Sequence, residues 1–226
     1  MPPDKHKSLK NFEGKKILIT AGPTYERIDP VRYIGNFSTG KMGFALAEIL
    51  YEVGAEVWLI CGPTQVNPKY PFQKIIKVKS ANEMYLSCLE LFPSSEIAIL
   101  AAAVADYRPV EYSSEKIKSN QNALVLKLEK TEDIALRLGQ MKKPGQVITG
   151  FALETDNEIE NAREKLHKKN FDFIVLNSLR DPGAGFGYET NKITILDADN
   201  KIHNFGLKLK EEVAYDILQI ISEKLS

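Results

Sequence analysis

Cysteine, net charge and long apolar runs are all scarce in this sequence, and each scarcity narrows what the chain does. The two cysteines, Cys61 and Cys88, have none of the spacing of a zinc site or a disulfide framework. They sit in or beside apolar runs, which predicts inert core thiols in a reducing compartment. Thirty basic residues are balanced by thirty acidic ones, so no global field recruits nucleic acid or an anionic membrane, and any basic preference must be local. No apolar run approaches the roughly 18 residues of a membrane span, and the N-terminus lacks an apolar signal core. A cytoplasmic protein without nucleic-acid or membrane partners is expected. Residues 1–14 are polar and lysine-rich with Pro2 and Pro3, and are expected to form a tail or linker. Residues 15–226 suffice for a single domain with a full core.

Glycine and proline are instead concentrated in one place. Residues 22–43 read GPTYERIDPVRYIGNFSTGKMG, directly after the β-like run KILITA at 16–21. Glycines let backbone approach oxygen atoms closely, and the helix after them offers unpaired N–H groups and the positive end of its dipole. A loop of this length inside a compact domain predicts an anion site for a phosphate-bearing ligand. Further strands are expected at 56–61, 75–78, 97–101, 147–151, 173–176 and 192–196, and helices at 40–53, 81–92, 131–138, 158–169 and 208–225. Apolar strands alternating with amphipathic helices predict an α/β fold: a Rossmann-like, doubly wound, mostly parallel sheet. Residues 107–130 break the alternation. They are expected to form a β-hairpin-like flap, with a strand at 124–128, that carries Lys116 and Lys118. The ligand should lie beyond the carboxyl ends of the strands, where the loops after 21, 101 and 151 converge.

Two short patterns mislead. Gly35 to Lys41 spells GxxxxGK, but Met42 stands where a nucleotide-binding P-loop needs a magnesium-binding hydroxyl. Tyr112 and Lys116 give YxxxK, as in short-chain dehydrogenases, yet they lie in a proline-flanked, serine-rich connection, and the GxGxxG fingerprint of dinucleotide binding is absent. An NAD(P)-linked oxidoreductase and a non-catalytic nucleotide-binding subunit stay open as alternative functions for such a fold.

Three more segments complete a longer pattern: AAAVADYRP at 101–109, EKIK at 115–118 and GFALET at 150–155. Together with DPVRYIGNFSTGKMG they resemble phosphopantothenoylcysteine synthetase, the ligase of coenzyme A biosynthesis, in matching order from Lys15 onward. The resemblance implies a CTP-dependent ligation of 4′-phosphopantothenate with L-cysteine through an acyl-cytidylate, with magnesium carried by the nucleotide and no separate protein-built metal site. It implies a homodimer with active sites near the subunit interface. It also implies a flavin-dependent phosphopantothenoylcysteine decarboxylase as a fused or separate partner, so that the chain is either a stand-alone enzyme or an excised domain.

By the same resemblance Asn36 and Lys116 serve the aminolysis step, and Arg32, Ala103 and Lys118 bind the pantothenoyl substrate. The nucleotide falls to Gly22, Ser38, Gly40, Leu100, Ala101, Ala102, Asp106, Lys116, Glu132, Asp133, Ile134, Ala135, Phe151, Lys165 and Lys169. Residue types alone leave plainer roles open: an Asx turn at Asn36, an exposed ion pair at Arg32, a packed strand end at 100–102, a turn cap at Asp106, a core ring at Phe151 and solvated lysines at 116, 165 and 169. Two departures from the family pattern stand out: Glu132 where a proline is familiar, and Ser119 where the flap motif commonly ends in lysine.

Overall fold

The computed structural model describes residues 8–118, 123–178, 180, 183 and 185–225. In chain order it comprises β1 (Lys16–Ala21), β2 (Tyr25–Arg27), β3 (Tyr33–Gly35), α1 (Lys41–Glu52), β4 (Glu56–Cys61), β5 (Lys74–Lys77), α2 (Ala81–Leu91) and β6 (Ile97–Leu100). Next come β7 (Tyr107–Pro109), β8 (Leu128–Lys130), α3 (Ile134–Met141), β9 (Val147–Glu154), α4 (Glu158–Lys168) and β10 (Phe173–Ser178). The chain closes with β11 (Thr190–Asn191), β12 (Ile193–Asp197), β13 (Ile202–Asn204), β14 (Lys208–Leu209) and α5 (Lys210–Lys224).

Eight strands form one sheet in the order β13-β12-β10-β9-β6-β1-β4-β5, with β12 antiparallel to both of its neighbours and every other pair parallel. The alternation of side chains along β1 explains the two layers. Ile17, Ile19 and Ala21 pack against α1 and α5 on one face, while Leu18 packs among residues of α2, α3 and α4 on the other. A strand buried on both faces must be apolar throughout, and KILITA is, apart from Lys16 at its exposed start and Thr20. Helix ends are set locally. Ser80 caps α2 by accepting from Glu83 N at 3.2 Å, while Glu83 accepts from Lys79 N at 2.6 Å. Gly54, at φ 85°, turns the chain out of α1.

Three expectations need correction. Leu9 and Phe12 are fully buried in the core, and Asn11 donates to Ser222 O at 3.0 Å, so residues 8–14 are packed chain instead of a loose tail. The stretch 22–43 is not wholly loop: β2 and β3 pair as a hairpin, with Tyr25 and Tyr33 stacked at 3.8 Å between ring centroids. The flap strand begins at Leu128, not at 124. β8 pairs antiparallel with β7, whereas Leu124 and Val125 point to solvent with 49% and 90% of their surface exposed. An apolar run with a strand's composition extends only where another strand accepts its hydrogen bonds. Ser119 lies outside the described residues.

Candidate active site

The sheet order reverses between β1 and β6, and the cleft opens there, beyond the carboxyl ends of β1, β6 and β9. It encloses about 650 Å³, within the range of small-molecule sites. Its back wall is held rigidly. Thr20 Oγ1 accepts from Ala102 N at 3.2 Å, Gly22 O from Ala103 N at 2.9 Å, and the buried Thr24 Oγ1 from Ala105 N at 2.9 Å. Thr131 completes the wall, its hydroxyl donating to Ala105 O at 2.7 Å. The amide donors of Ala101 and Ala102 are thus committed to Thr20.

Two helix N-termini border the cleft. α1 starts from Gly40, whose φ of 82° is a left-handed cap conformation. A Cβ on Gly40 would sit 3.3 Å from Gly22 Cα, and one on Gly43 would sit 2.5 Å from Ala21 Cβ, so glycine is what lets this helix close down on β1. α3 is capped by Asp133, which accepts from Leu136 N at 3.0 Å. Each helix start leaves backbone N–H groups without intrahelical partners, and the dipoles favour negative charge.

The ionised groups agree with the dipoles. Five lysines (41, 130, 165, 169 and 210) line the cleft against three carboxylates, Asp106, Glu132 and Asp133. Lys165 pairs with Glu154 at 2.5 Å and Lys169 with Asp133 at 3.0 Å. Lys41 pairs with Glu189, whose carboxyl is held below its ordinary pKa by that lysine. Lys210 is buried, with Nζ donating to Tyr188 O at 2.6 Å and Gly185 O at 3.2 Å. Burial, and next the Lys41 charge, lower its pKa.

Fifteen of the nineteen residues expected in the site line this cleft: Asn36, Ser38, Gly40, Leu100, Ala101, Ala102, Ala103, Asp106, Glu132, Asp133, Ile134, Ala135, Phe151, Lys165 and Lys169. Asn36 Nδ2 donates to Ala103 O at 3.0 Å and Val104 O at 3.1 Å, which leaves its carboxamide oxygen as the group it offers. Gly22, Arg32, Lys116 and Lys118 do not line it. Gly22 lies behind the wall, where a Cβ would meet the Gly62 backbone at 3.3 Å. The Arg32 guanidinium is committed to Asp29 and to the carbonyl of Ile117, and Lys116 and Lys118 are exposed on either side of that residue. Lys41, Lys130, Lys210, Asn177 and Asn191 line the cleft without having been singled out. Lys41 stands inside the GK pair that invited the P-loop comparison. Lys210 and Asn191 belong to no motif and are brought in by the fold alone.

Residues 12–225 match the family model of the DNA/pantothenate metabolism flavoprotein C-terminal domain. The chain is 54% identical over 212 residues to a cysteine/cysteine sulfinic acid decarboxylase of an unknown prokaryotic organism, covering 94% of this chain and 59% of that protein. It is 43% identical to the coenzyme A biosynthesis bifunctional protein CoaBC of Bacillus subtilis, covering 93% of this chain and 52% of that protein. The chain therefore spans a little over half the length of these curated relatives. A crystal structure of the C-terminal domain of CoaBC superposes with a TM-score of 0.81 at 40% identity, over 96% of this chain and 98% of that one. A mutant of Cab2 in complex with phosphopantothenate-cysteine shares the fold, with a TM-score of 0.74 at 17% identity over 98% and 92% of the two chains.

Proposed function

The chain belongs to the DNA/pantothenate metabolism flavoprotein C-terminal domain family, and from that premise we propose that it is a phosphopantothenate–cysteine ligase of coenzyme A biosynthesis that uses CTP. The observation that carries the reading is the cleft itself: two helix N-termini and five lysines converge at the switch point of a doubly wound sheet. Both substrates of the first step are anions, and helix N-termini beside lysines that can exchange carboxylate partners for phosphate oxygens are what their binding requires.

A carboxylate is a poor electrophile because its leaving group would be oxide. In the first step a carboxylate oxygen of 4′-phosphopantothenate attacks the α-phosphorus of MgCTP, and the bond to the β-phosphate breaks to release pyrophosphate. In the second, the amine nitrogen of cysteine bonds to the acyl carbon, CMP leaves with its oxygen, and the amine loses a proton. Lys41, Lys165 and Lys169, with the α1 and α3 N-termini, would offset phosphate charge. Phe151 and the 100–102 carbonyls would hold the base, and the Asn36 carboxamide oxygen would accept a hydrogen bond from the attacking amine and orient it. Magnesium would arrive with the triphosphate.

A homodimer in the cytoplasm, joined to or working beside a flavin-dependent phosphopantothenoylcysteine decarboxylase, completes the proposal. The β2–β3 and β7–β8 hairpins support the dimer: they touch each other, and Val31, Tyr33, Phe37, Tyr112 and Val125, on or next to them, are exposed apolar side chains that a second copy would cover. The test is pyrophosphate release from CTP, magnesium, 4′-phosphopantothenate and cysteine, with ATP run in parallel. Release that requires all the components and prefers CTP is expected. No release with either nucleotide would refute the proposal.

A further inference from the structure

The segment carrying Lys116 and Lys118 is gripped from below by one ion pair. Asp29 is buried. Its Oδ1 accepts from the backbone N–H of Val31 and of Arg32, each at 2.8 Å. Its Oδ2 accepts from Arg32 Nε at 2.9 Å, from Arg32 Nη2 at 2.5 Å and from Ile117 N at 3.2 Å. Arg32 Nη2 donates onward to Ile117 O at 2.7 Å. Both polar groups of the Ile117 backbone therefore end on the same pair, the N–H on the acid and the C=O on the base. Four residues earlier the segment is tied again, with Ser113 N donating to Ile28 O at 3.0 Å.

Reading both polarities of one residue's backbone takes an acceptor and a donor fixed relative to each other, and a two-pronged Arg–carboxylate contact supplies that. Asp29 alone would accept from the Ile117 N–H and leave the C=O unpartnered, and Arg32 alone would do the reverse. Burial works to raise the Asp29 pKa, but the bonds from Arg32, Val31 and Ile117 together hold it well below the usual carboxylate range, so the clip stays charged.

We propose that Asp29 and Arg32 are positioning residues for Lys116 and Lys118: an ion-pair clip that fixes Ile117 between them and so sets where the two ammonium groups stand during ligation. The proposal rests on the ligase reading and on the family resemblance that gives Lys116 work in aminolysis. Arg32 acts through the flap backbone in this scheme, and needs no contact with substrate to be required.

The experiment compares wild type, Asp29→Asn, Arg32→Lys, Lys116→Ala and the Asp29→Asn/Lys116→Ala double variant. Two measurements are made: steady-state pyrophosphate release, and trypsin cleavage after Lys116 and Lys118 detected by mass spectrometry. Misplacing a catalytic group by an ångström costs on the order of 100-fold, so Asp29→Asn should lower kcat by about that factor with the KM for CTP unchanged. The double variant should be no slower than Lys116→Ala, and trypsin should cut the flap early in Asp29→Asn but not in wild type. Arg32→Lys keeps Asp29 and the charge while losing the two-pronged contact, and should behave similarly, so the test survives if Asp29→Asn does not fold. Wild-type kcat with wild-type trypsin resistance in either variant would overturn the clip, as would a raised KM at unchanged kcat. Absence of turnover in wild type would overturn the ligase reading instead, and the trypsin comparison would still decide whether the clip exists.

Discussion

Gly150→Ala is the smallest change that tests how the cleft floor is built. Gly150 stands inside β9, paired with Leu100 of β6 on one side and Ile174 of β10 on the other, so its strand cannot step aside. A Cβ there would lie 2.1 Å from Cε2, 2.6 Å from Cζ and 2.7 Å from Cδ2 of Phe171. Carbon atoms rest at about 3.5–4.0 Å, an overlap of roughly 1.5 Å, and the ring must therefore move. Phe171 is itself buried, and overpacking of this kind costs about 1–3 kcal/mol. Phe171→Leu alone is a change of shape costing about 1.5 kcal/mol, but it vacates the space the new methyl needs. The double variant should therefore be more stable than the sum of the singles predicts, by about 1 kcal/mol or more. Urea unfolding midpoints at unchanged slope measure this. Because both residues line the cleft, Gly150→Ala should also raise the KM for nucleotide, and Phe171→Leu in the same chain should restore part of it. Additivity within about 0.5 kcal/mol, or a Gly150→Ala protein as stable as the parent, would refute the reasoning.

Gly40→Ala places a Cβ on a residue at φ 82° and 3.3 Å from Gly22 Cα; a loss of about 1–2 kcal/mol in unfolding free energy is expected, with weaker nucleotide binding by calorimetry. Glu189→Gln releases Lys41 from its partner, so the KM for nucleotide should fall, most clearly at low ionic strength, where a freed surface charge is least screened. Asp29 has a folded pKa held below its unfolded value of about 3.9. The unfolded chain binds the extra proton, so its stabilising contribution is complete above that pH and lost as pH falls through the folded value. The difference in Tm between wild type and Asp29→Asn should accordingly be constant from neutrality to about pH 5 and shrink below about pH 4.

The sheet was readable because parallel strands buried on both faces are nearly apolar throughout: β1 and β4 occupy the expected 16–21 and 56–61, each an apolar run entered by one charged residue, Lys16 or Glu56. β9 runs past its expected end at Phe151 to Glu154, since Ala152–Glu154 find partners in Leu176–Ser178 of β10, a tertiary fact that no local pattern carries. The lack of a strand partner among the described residues explains the converse at 124–125, and core contacts explain why Leu9 and Phe12, amid polar neighbours, are packed chain. In the site, residues carried by contiguous motifs at strand ends came together at the cleft. Lys210 could not be foreseen, because its place depends on α5 crossing back to α1 from the end of the chain. Arg32 was singled out for the substrate, but its geometry was not legible: its partner Ile117 is 85 positions away and is bound through backbone, which leaves no trace in residue type.

The most direct test of the ligase chemistry is single-turnover incubation of Asn36→Ala beside wild type with 4′-phosphopantothenate, magnesium and labelled CTP, first without cysteine and then with it. If the chain is this ligase, both proteins form acyl-cytidylate and release pyrophosphate, and added cysteine discharges the intermediate rapidly in wild type and slowly in Asn36→Ala. Unconsumed CTP in both proteins would contradict it.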